Sequence, residues 1–325
     1  MKVFVFEYVT GGGFAGQALP DFLADGELMW RALVDDLIAV PGVEVLTLRD
    51  VRLDLVDVPG LRIWITDAAG FERDFQRCLQ AADAVWLVAP ESHHILEALT
   101  CEVLAAGKLL LGCRPEAVRI AASKLATARC LADAGVAVVP TSLTEDLLRG
   151  RVVIKPDDGV GCQDTLLCAD AAAAQAWCRN HADVAWVFQP YVEGEALSLS
   201  LLCCAGRAQL LSVNRQQVSL ESDGRFTFHG VSVNALSDPD DRYATLAARV
   251  AATIPGLWGY VGIDLIACAD GPRVLEINPR VTVSYAGLHA ALDCNPAQRV
   301  LSLPDMRPYH RLREVTLETA DACLA

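Results

Sequence analysis

The chain has 325 residues, 53% of them hydrophobic, and a formal net charge of −14. At roughly 100–200 residues per domain it suits two or three structural units with ample apolar material for buried sheets, and its acidic balance excludes a nucleic-acid partner, which needs a basic footprint. No uninterrupted apolar run reaches the length of a membrane span. The 12 cysteines form no Cys-x-x-Cys pair and follow no secretory signal, so the expectation is a soluble cytoplasmic protein whose reduced thiols act mostly as small core residues.

Residues 2–8 read as an apolar strand, and Gly11 to Gly16 directly after it fit G-x-G-x-x-G. That spacing marks a dinucleotide site only when a helix starts at once and an acidic residue ends the next strand. Pro20 and Gly26 delay the helix, which the 3.6-residue period puts at 27–38, and Asp50 lies beyond the expected spacing. A nicotinamide-dependent oxidoreductase is therefore set aside. The glycine loop, with Glu7, Tyr8 and Gly12, reads either as a wall of a substrate site in the crevice beyond the strands' carboxyl ends or as a solvated loop; in the first reading Glu7 pairs with a substrate ammonium.

Strands recur at 43–48, 62–65, 84–88 and 109–111 with helices between several of them. The alternation predicts an α/β fold class, a mainly parallel sheet covered by helices, over an N-terminal domain of residues 1–113. Glu91, Ser92, His93 and His94 follow the strand at 84–88 and open on the same crevice. Glu91 reads as a substrate contact and Ser92 as the N-cap of the next helix. The histidines show no metal-like spacing, which speaks against zinc, and no nucleophile-elbow sequence is present.

Residues 112–115 mark a boundary, after which a central unit of residues 114–190 opens with Ser123-Lys124 at the start of an alanine-rich helix over 124–134. The β-branched run Val152-Val153-Ile154 ends in Lys155-Pro156, and Asp157-Asp158-Gly159-Val160-Gly161-Cys162 forms a loop able to bring backbone N–H groups against phosphate. Cys162 is expected to be inert. The alanine run at 171–174 is the one low-complexity tract, and no internal repeat appears. Residues 186–195 read as a strand running through a short linker into the next strand at 197–203.

The third unit, residues 191–325, is read as α+β. Its runs at 260–266 and 274–278, joined through Ala269-Asp270-Gly271, form a hairpin that pairs Asp264 with Glu276. Strand residues i and i+2 share a face, so Glu276 and Asn278 can hold one hard cation with Asp264, and Arg280 stands just beyond. Such a set suits a divalent ion that bridges nucleotide phosphates; a capped edge hairpin with solvated charges is the other reading. Pro304 and Pro308 mark loops in the tail.

In this order, Lys124, Lys155 with its glycine loop, the 189–195 linker, Asp264 and Glu276-Ile277-Asn278 resemble the ATP-grasp superfamily of carboxylate-amine ligases. The resemblance implies an ATP-grasp fold in which Lys124 and Lys155 hold ATP phosphates and the loop from Gly159 to Gly161 closes over them. It implies further that Gln189, Tyr191 and Val192 read the adenine, that Glu195 binds the ribose, and that Asp264, Glu276 and Asn278 hold magnesium, with manganese as the alternative. Some members carry an arginine two residues before the metal-binding aspartate, where this chain has Gly262; Arg280 or Arg215 would then meet the transition-state charge, with Lys155 beside the transferred group. Three further segments, Phe4 to Gly13, Ser212 to Gln216 and Pro279 to Gly287, are similar to the tyramine–glutamate ligase family of methanofuran biosynthesis. That implies an ATP-dependent acid-amine ligase that joins the γ-carboxyl of glutamate to tyramine, with Glu7, Tyr8, Gly12, Glu91, Arg215, Arg280, Ser284 and Tyr285 around the substrates. Small molecules are the expected partners, with no nucleic acid and no membrane, and a homo-oligomer is left open. A ligase for another acid and amine pair, and a nucleotide-binding regulator without catalysis, are the alternatives.

Overall fold

The structure, a computed structural model, describes residues 1–144, 149–159, 161–303 and 315–318. Five parallel strands, β1 (Lys2–Glu7), β2 (Glu44–Asp50), β3 (Leu61–Thr66), β4 (Ala84–Val88) and β5 (Leu109–Leu110), form the first sheet in the order β3-β2-β1-β4-β5. Both faces are covered, which is why β1 and β4 read as continuous apolar runs. Val3 and Val5 belong to the cluster of Trp30, Leu33 and Leu37 on α1 (Leu23–Ile38). Phe4 and Phe6 belong to that of α2 (Phe71–Ala81), where the Phe6 and Phe75 rings meet edge-on at 4.8 Å. Strand order reverses at the β1–β4 pair, so Glu7 and residues 89–91 flank the crevice at which such sheets take ligands.

Two expectations need correction in this part. Helix α1 begins at Leu23, ahead of the predicted 27, and runs through Gly26. A Cβ at Gly26 would stand 2.9 Å from Glu7 Oε2; the missing side chain lets the first turn lie against the strand-end carboxylate, which offsets the roughly 1 kcal/mol that glycine costs inside a helix. Ser92 makes no side-chain cap. It starts a short 3₁₀ turn in which His93 and His94 are both left-handed, at φ 54° and 59°, and α3 (Ile95–Ala105) begins only after them. The turn aims the His93 N–H at Asp158 Oδ2, 3.1 Å away.

Helices α4 (Pro115–Ala122) and α5 (Lys124–Asp133) lead to a three-stranded antiparallel sheet in the order β7-β6-β8, made of β6 (Val152–Pro156), β7 (Leu166–Cys168) and β8 (Trp186–Pro190), with α6 (Ala171–Asn180) against it. The third sheet is antiparallel and runs β13-β12-β9-β10-β11-β14. Its strands are β9 (Glu195–Cys204), β10 (Arg207–Leu220), β11 (Phe226–Leu236), β12 (Gly259–Cys268), β13 (Gly271–Asn278) and β14 (Val315–Glu318). Along β9, Leu197, Leu199 and Leu201 enter the core shared with Leu246 and Val250 of α7 (Arg242–Thr253), while Ser198 and Ser200 take the opposite face. Helices α8 (Tyr285–Leu292) and α9 (Pro296–Leu301) pack on α1. One apolar cluster extends from Phe4 and Phe6 to Val261 and Ile277, whereas the small sheet has its own around Ile154, Trp186 and Phe188. Among the described residues no helix is long and apolar enough to cross a membrane; Pro304 and Pro308 lie outside the described residues.

Candidate active site

A single cavity of about 630 Å³ is bounded by residues of all three sheets and the first turn of α1. Its floor is the β12–β13 hairpin. The register sets Asp264 opposite Glu276 on one side and opposite Ser198 on the other, so all three side chains rise from the same face. Asp264 Oδ1 accepts from Gln216 Nε2 at 3.0 Å and Oδ2 from Asn278 Nδ2 at 3.1 Å. Lys124 Nζ stands 3.4 Å from Glu276 Oε2, and Lys155, on β6, is buried in the cavity wall.

Burial and the neighbouring Glu276 push the Asp264 carboxyl up to about 8. Burial pushes Glu276 upward too, but Lys124 and Lys155 outweigh it and hold that carboxyl below its ordinary range. Lys155 is lowered by burial, with Glu276 opposing. The two facing carboxyls thus ionise unequally, Glu276 readily and Asp264 reluctantly, and an amide whose oxygen becomes available by a flip stands beside them. All are oxygen donors, the set that magnesium takes while leaving further positions for phosphate and water. Among the described residues no three His, Cys, Asp or Glu side chains are arranged to hold a metal ion by themselves.

Lys124 starts α5 behind the N-cap Ser123, whose Oγ accepts from Ala126 N at 3.0 Å. Its Nζ also donates to Gly159 O at 2.6 Å, and Asp157 ties the same segment to Ser123 Oγ at 2.6 Å and Leu125 N at 2.9 Å. The loop after β6 is thereby strapped to the start of α5; Val160 lies outside the described residues. A Cβ on Gly161, at φ 61°, would meet nothing, so this glycine is there for its backbone conformation. Cys162 lines the cavity, and burial with Glu276 and Asp264 nearby pushes its thiol up to about 12, which leaves it protonated. At the far end Gln189, Tyr191 and Val192 join Val153, Ile266 and Leu275 in a largely apolar slot. Gln189 Nε2 is spent on Thr141 Oγ1 at 2.9 Å, and the Arg151 guanidinium covers the Tyr191 ring at 4.1 Å.

The substrate side departs from expectation at several residues. Glu7 lies in the wall, 2% exposed, with its oxygens accepting from Val9 N at 3.2 Å and Thr10 N at 2.7 Å. Glu91 is outside the wall and holds Arg280 instead: Arg280 Nε and Nη2 both donate to Glu91 Oε2, at 3.1 and 3.0 Å, with the side chains 12% and 6% exposed. Glu91 Oε1 is buried and unpaired. Arg280 does reach the cavity, as does Ser284, whose Oγ joins Thr282, Tyr260 and Ser200 in a hydroxyl cluster.

Arg215 and Glu195 do not reach it. Arg215 sits opposite Leu197 in the register, so the pleat turns it to the face away from Asp264, where it pairs with Glu195. Tyr285 is 1% exposed and packs edge-on against Tyr260 and Trp86, inside the core rather than the crevice. Tyr8 packs edge-on with Phe14, and Gly12, at φ 93°, is needed where a Cβ would meet Thr66 Cγ2 at 2.8 Å. Both lie outside the wall. Residues the sequence reading passed over are Gln216, legible two places after Asn214 on one strand face, Met29, inside the predicted helix, and Asp21 and Asp25, ahead of its predicted start.

A family model described as an ATP-grasp domain matches residues 121–284, and one described as a pre ATP-grasp 3 domain matches residues 43–118. Over 289 residues the chain is 29% identical to the tyramine–L-glutamate ligase of Methanocaldococcus jannaschii, a match that covers 88% of this chain and 84% of that one. Among solved structures it is similar to an ATP-grasp superfamily protein from Archaeoglobus fulgidus, at a TM-score of 0.73 and 22% identity over 98% of this chain and 99% of that one. It is similar also to an L-amino acid ligase from Bacillus licheniformis, at 0.65 and 15% over 92% and 73%. The first of these family models accounts for more than half of the sequence and spans both lysines, the linker and the Asp264–Glu276 hairpin: the chain belongs to the ATP-grasp family.

Proposed function

We propose that the protein is an ATP-dependent carbon–nitrogen ligase that joins the γ-carboxyl of glutamate to the amine of tyramine and releases ADP and phosphate. One observation carries the reading. A single cavity runs from the apolar slot at Tyr191 and Leu275, past the facing Asp264 and Glu276, to Arg280 and Glu7. On this reading nucleotide, phosphoryl acceptor and amine take adjoining positions along one cavity. The ligase of Methanocaldococcus jannaschii supports the choice of substrates.

In this mechanism the apolar slot takes adenine, with the backbone of residues 189–192 along its edge, while Lys124 and Lys155 bind phosphate oxygens. Asp264, Glu276 and Asn278 would hold magnesium, which when bound neutralises phosphate charge. Arg280, fixed by Glu91, orients the glutamate carboxylate. A carboxylate oxygen attacks the γ phosphorus, the bond to ADP breaks, and an acyl phosphate forms. The neutral amine then attacks the acyl carbon, phosphate leaves with the bonding pair, and the amine proton passes to bulk solvent or to phosphate. Enclosure protects the acyl phosphate from water.

The test is an ADP-release assay over a matrix of amines and amino acids, with the product mass measured. Release is expected to need both glutamate and tyramine, with a product equal to their sum less one water. Release only with two α-amino acids, or with glutamate and ammonia, overturns the tyramine assignment.

A further inference from the structure

We infer that the end of the cavity bounded by Glu7, Asp21 and Asp25 selects, as the second substrate, a primary amine that carries no carboxylate. This rests on the ligase reading above and adds the feature by which the amine is told from its parent amino acid.

The β1–α1 end of the cavity is built from two kinds of surface. Phe22, Met29 and Val88 offer apolar contact of the size an aryl or alkyl body needs, and Asp21, Asp25 and Glu7 supply the polar part. Glu7 is buried in the wall, and its two oxygens accept only from the N–H groups of Val9 and Thr10. Among the described residues no lysine, arginine or histidine forms an ion pair with Glu7, Asp21 or Asp25; the nearby Arg49 is committed to Glu27 at 2.6 Å. A buried carboxylate without a cation is costly, and burial accordingly raises both the Glu7 and the Asp25 carboxyl. An ammonium at this end of the cavity recovers part of that cost. Gly26 contributes by having no side chain, since a Cβ there would stand 2.9 Å from Glu7 Oε2.

The same wall repels a second carboxylate. The first turn of α1 does favour negative charge, but its end is worth about half an elementary charge, against two or three carboxylates within the same lobe. Arg280 is the cation of the cavity's middle, and in the ligase reading it serves the glutamate. An amine bearing an α-carboxylate would set that group against Asp25 or Glu7 and, with Lys155 given to phosphate in the same reading, no cation among the described residues of the wall is left to meet it. Like charges brought together in an enclosed site cost enough to give at least about tenfold discrimination.

The experiment compares kcat/KM for tyramine and for tyrosine, with glutamate and ATP, in the wild type, Asp25→Asn and the double variant Asp21→Asn/Asp25→Asn. Glu7→Gln is a weaker probe because Glu7 also holds the turn at Val9 and Thr10. Wild type is expected to favour tyramine strongly. In the variants the tyramine-to-tyrosine ratio should fall by about tenfold, through a higher tyramine KM and a lower tyrosine KM, with kcat for tyramine held within about threefold. A ratio that stays within twofold of wild type in both variants overturns the inference. Should wild type ligate no amine to glutamate, the ligase reading fails separately, and equilibrium binding of tyramine against tyrosine to the intact chain still decides this one: equal binding overturns it, and preferential tyramine binding that Asp25→Asn abolishes sustains it.

Discussion

Glu276 is the residue with most resting on it, since it faces Asp264 across the hairpin and meets the Lys124 ammonium on the other side. Glu276→Ala is expected to lower ADP release at least about 100-fold, because Glu276 would help hold the magnesium that neutralises phosphate charge. Stability should respond far less. The substitution removes a repulsion from Asp264 and an attraction to Lys124 and Lys155 together, so the melting midpoint is expected to stay within about 3 °C of wild type. Thermal melts beside the activity assay check both halves, and a variant that turns over normally at matched magnesium removes Glu276 from the proposed metal site. Neutral Cys162, in the same wall, has no part in this chemistry.

The segment between β6 and β7 is the element on which the proposed nucleotide site makes its clearest demand. It is fastened to the start of α5 at Asp157, by Ser123 and Leu125, and at Gly159, by the Lys124 that would bind phosphate. ATP with magnesium is expected to slow hydrogen exchange in a peptide covering 157–164 by about tenfold or more, as Lys124 exchanges Gly159 O and Glu276 for phosphate oxygens. Exchange unchanged at saturating nucleotide would speak against phosphate binding there. Elements of this kind differed in how plainly the sequence announces them. The first sheet was legible because strands buried on both faces are unbroken apolar runs, and the hairpin because Glu276, Asn278 and Asp264 carry polar chemistry on such runs. Strands β10 and β11 were not, since their exposed halves mix Arg, Gln, Ser and Phe without alternation. The wall residues were half legible: Glu7 and Arg280 are at strand ends, where position alone suggests a crevice. Which way Arg215, Glu195 and Tyr285 face depends on register and on the packing of α8, neither of which a single strand's sequence discloses.

At the scale of the molecule, residues far apart in sequence share one interior. The apolar cluster that starts at Phe4 continues to Ile277, and the Glu91–Arg280 pair crosses the same junction. Glu91→Ala strands a nearly buried guanidinium and should cost about 3 kcal/mol, seen in urea as an earlier midpoint of one cooperative transition. Two separated transitions would mean that the first and third sheets melt independently. The bond from His93 N–H to Asp158 Oδ2 joins the first sheet to the loop after β6, and its two ends differ in what heredity can do to them. The donor belongs to the backbone, so position 93 is free to drift among residues that tolerate a left-handed conformation, asparagine and glycine foremost. The acceptor is a side chain, and Asp158 has far less latitude: a lineage that kept this bond could rewrite the histidine, but at 158 it must keep a short side chain with an accepting oxygen, aspartate or asparagine.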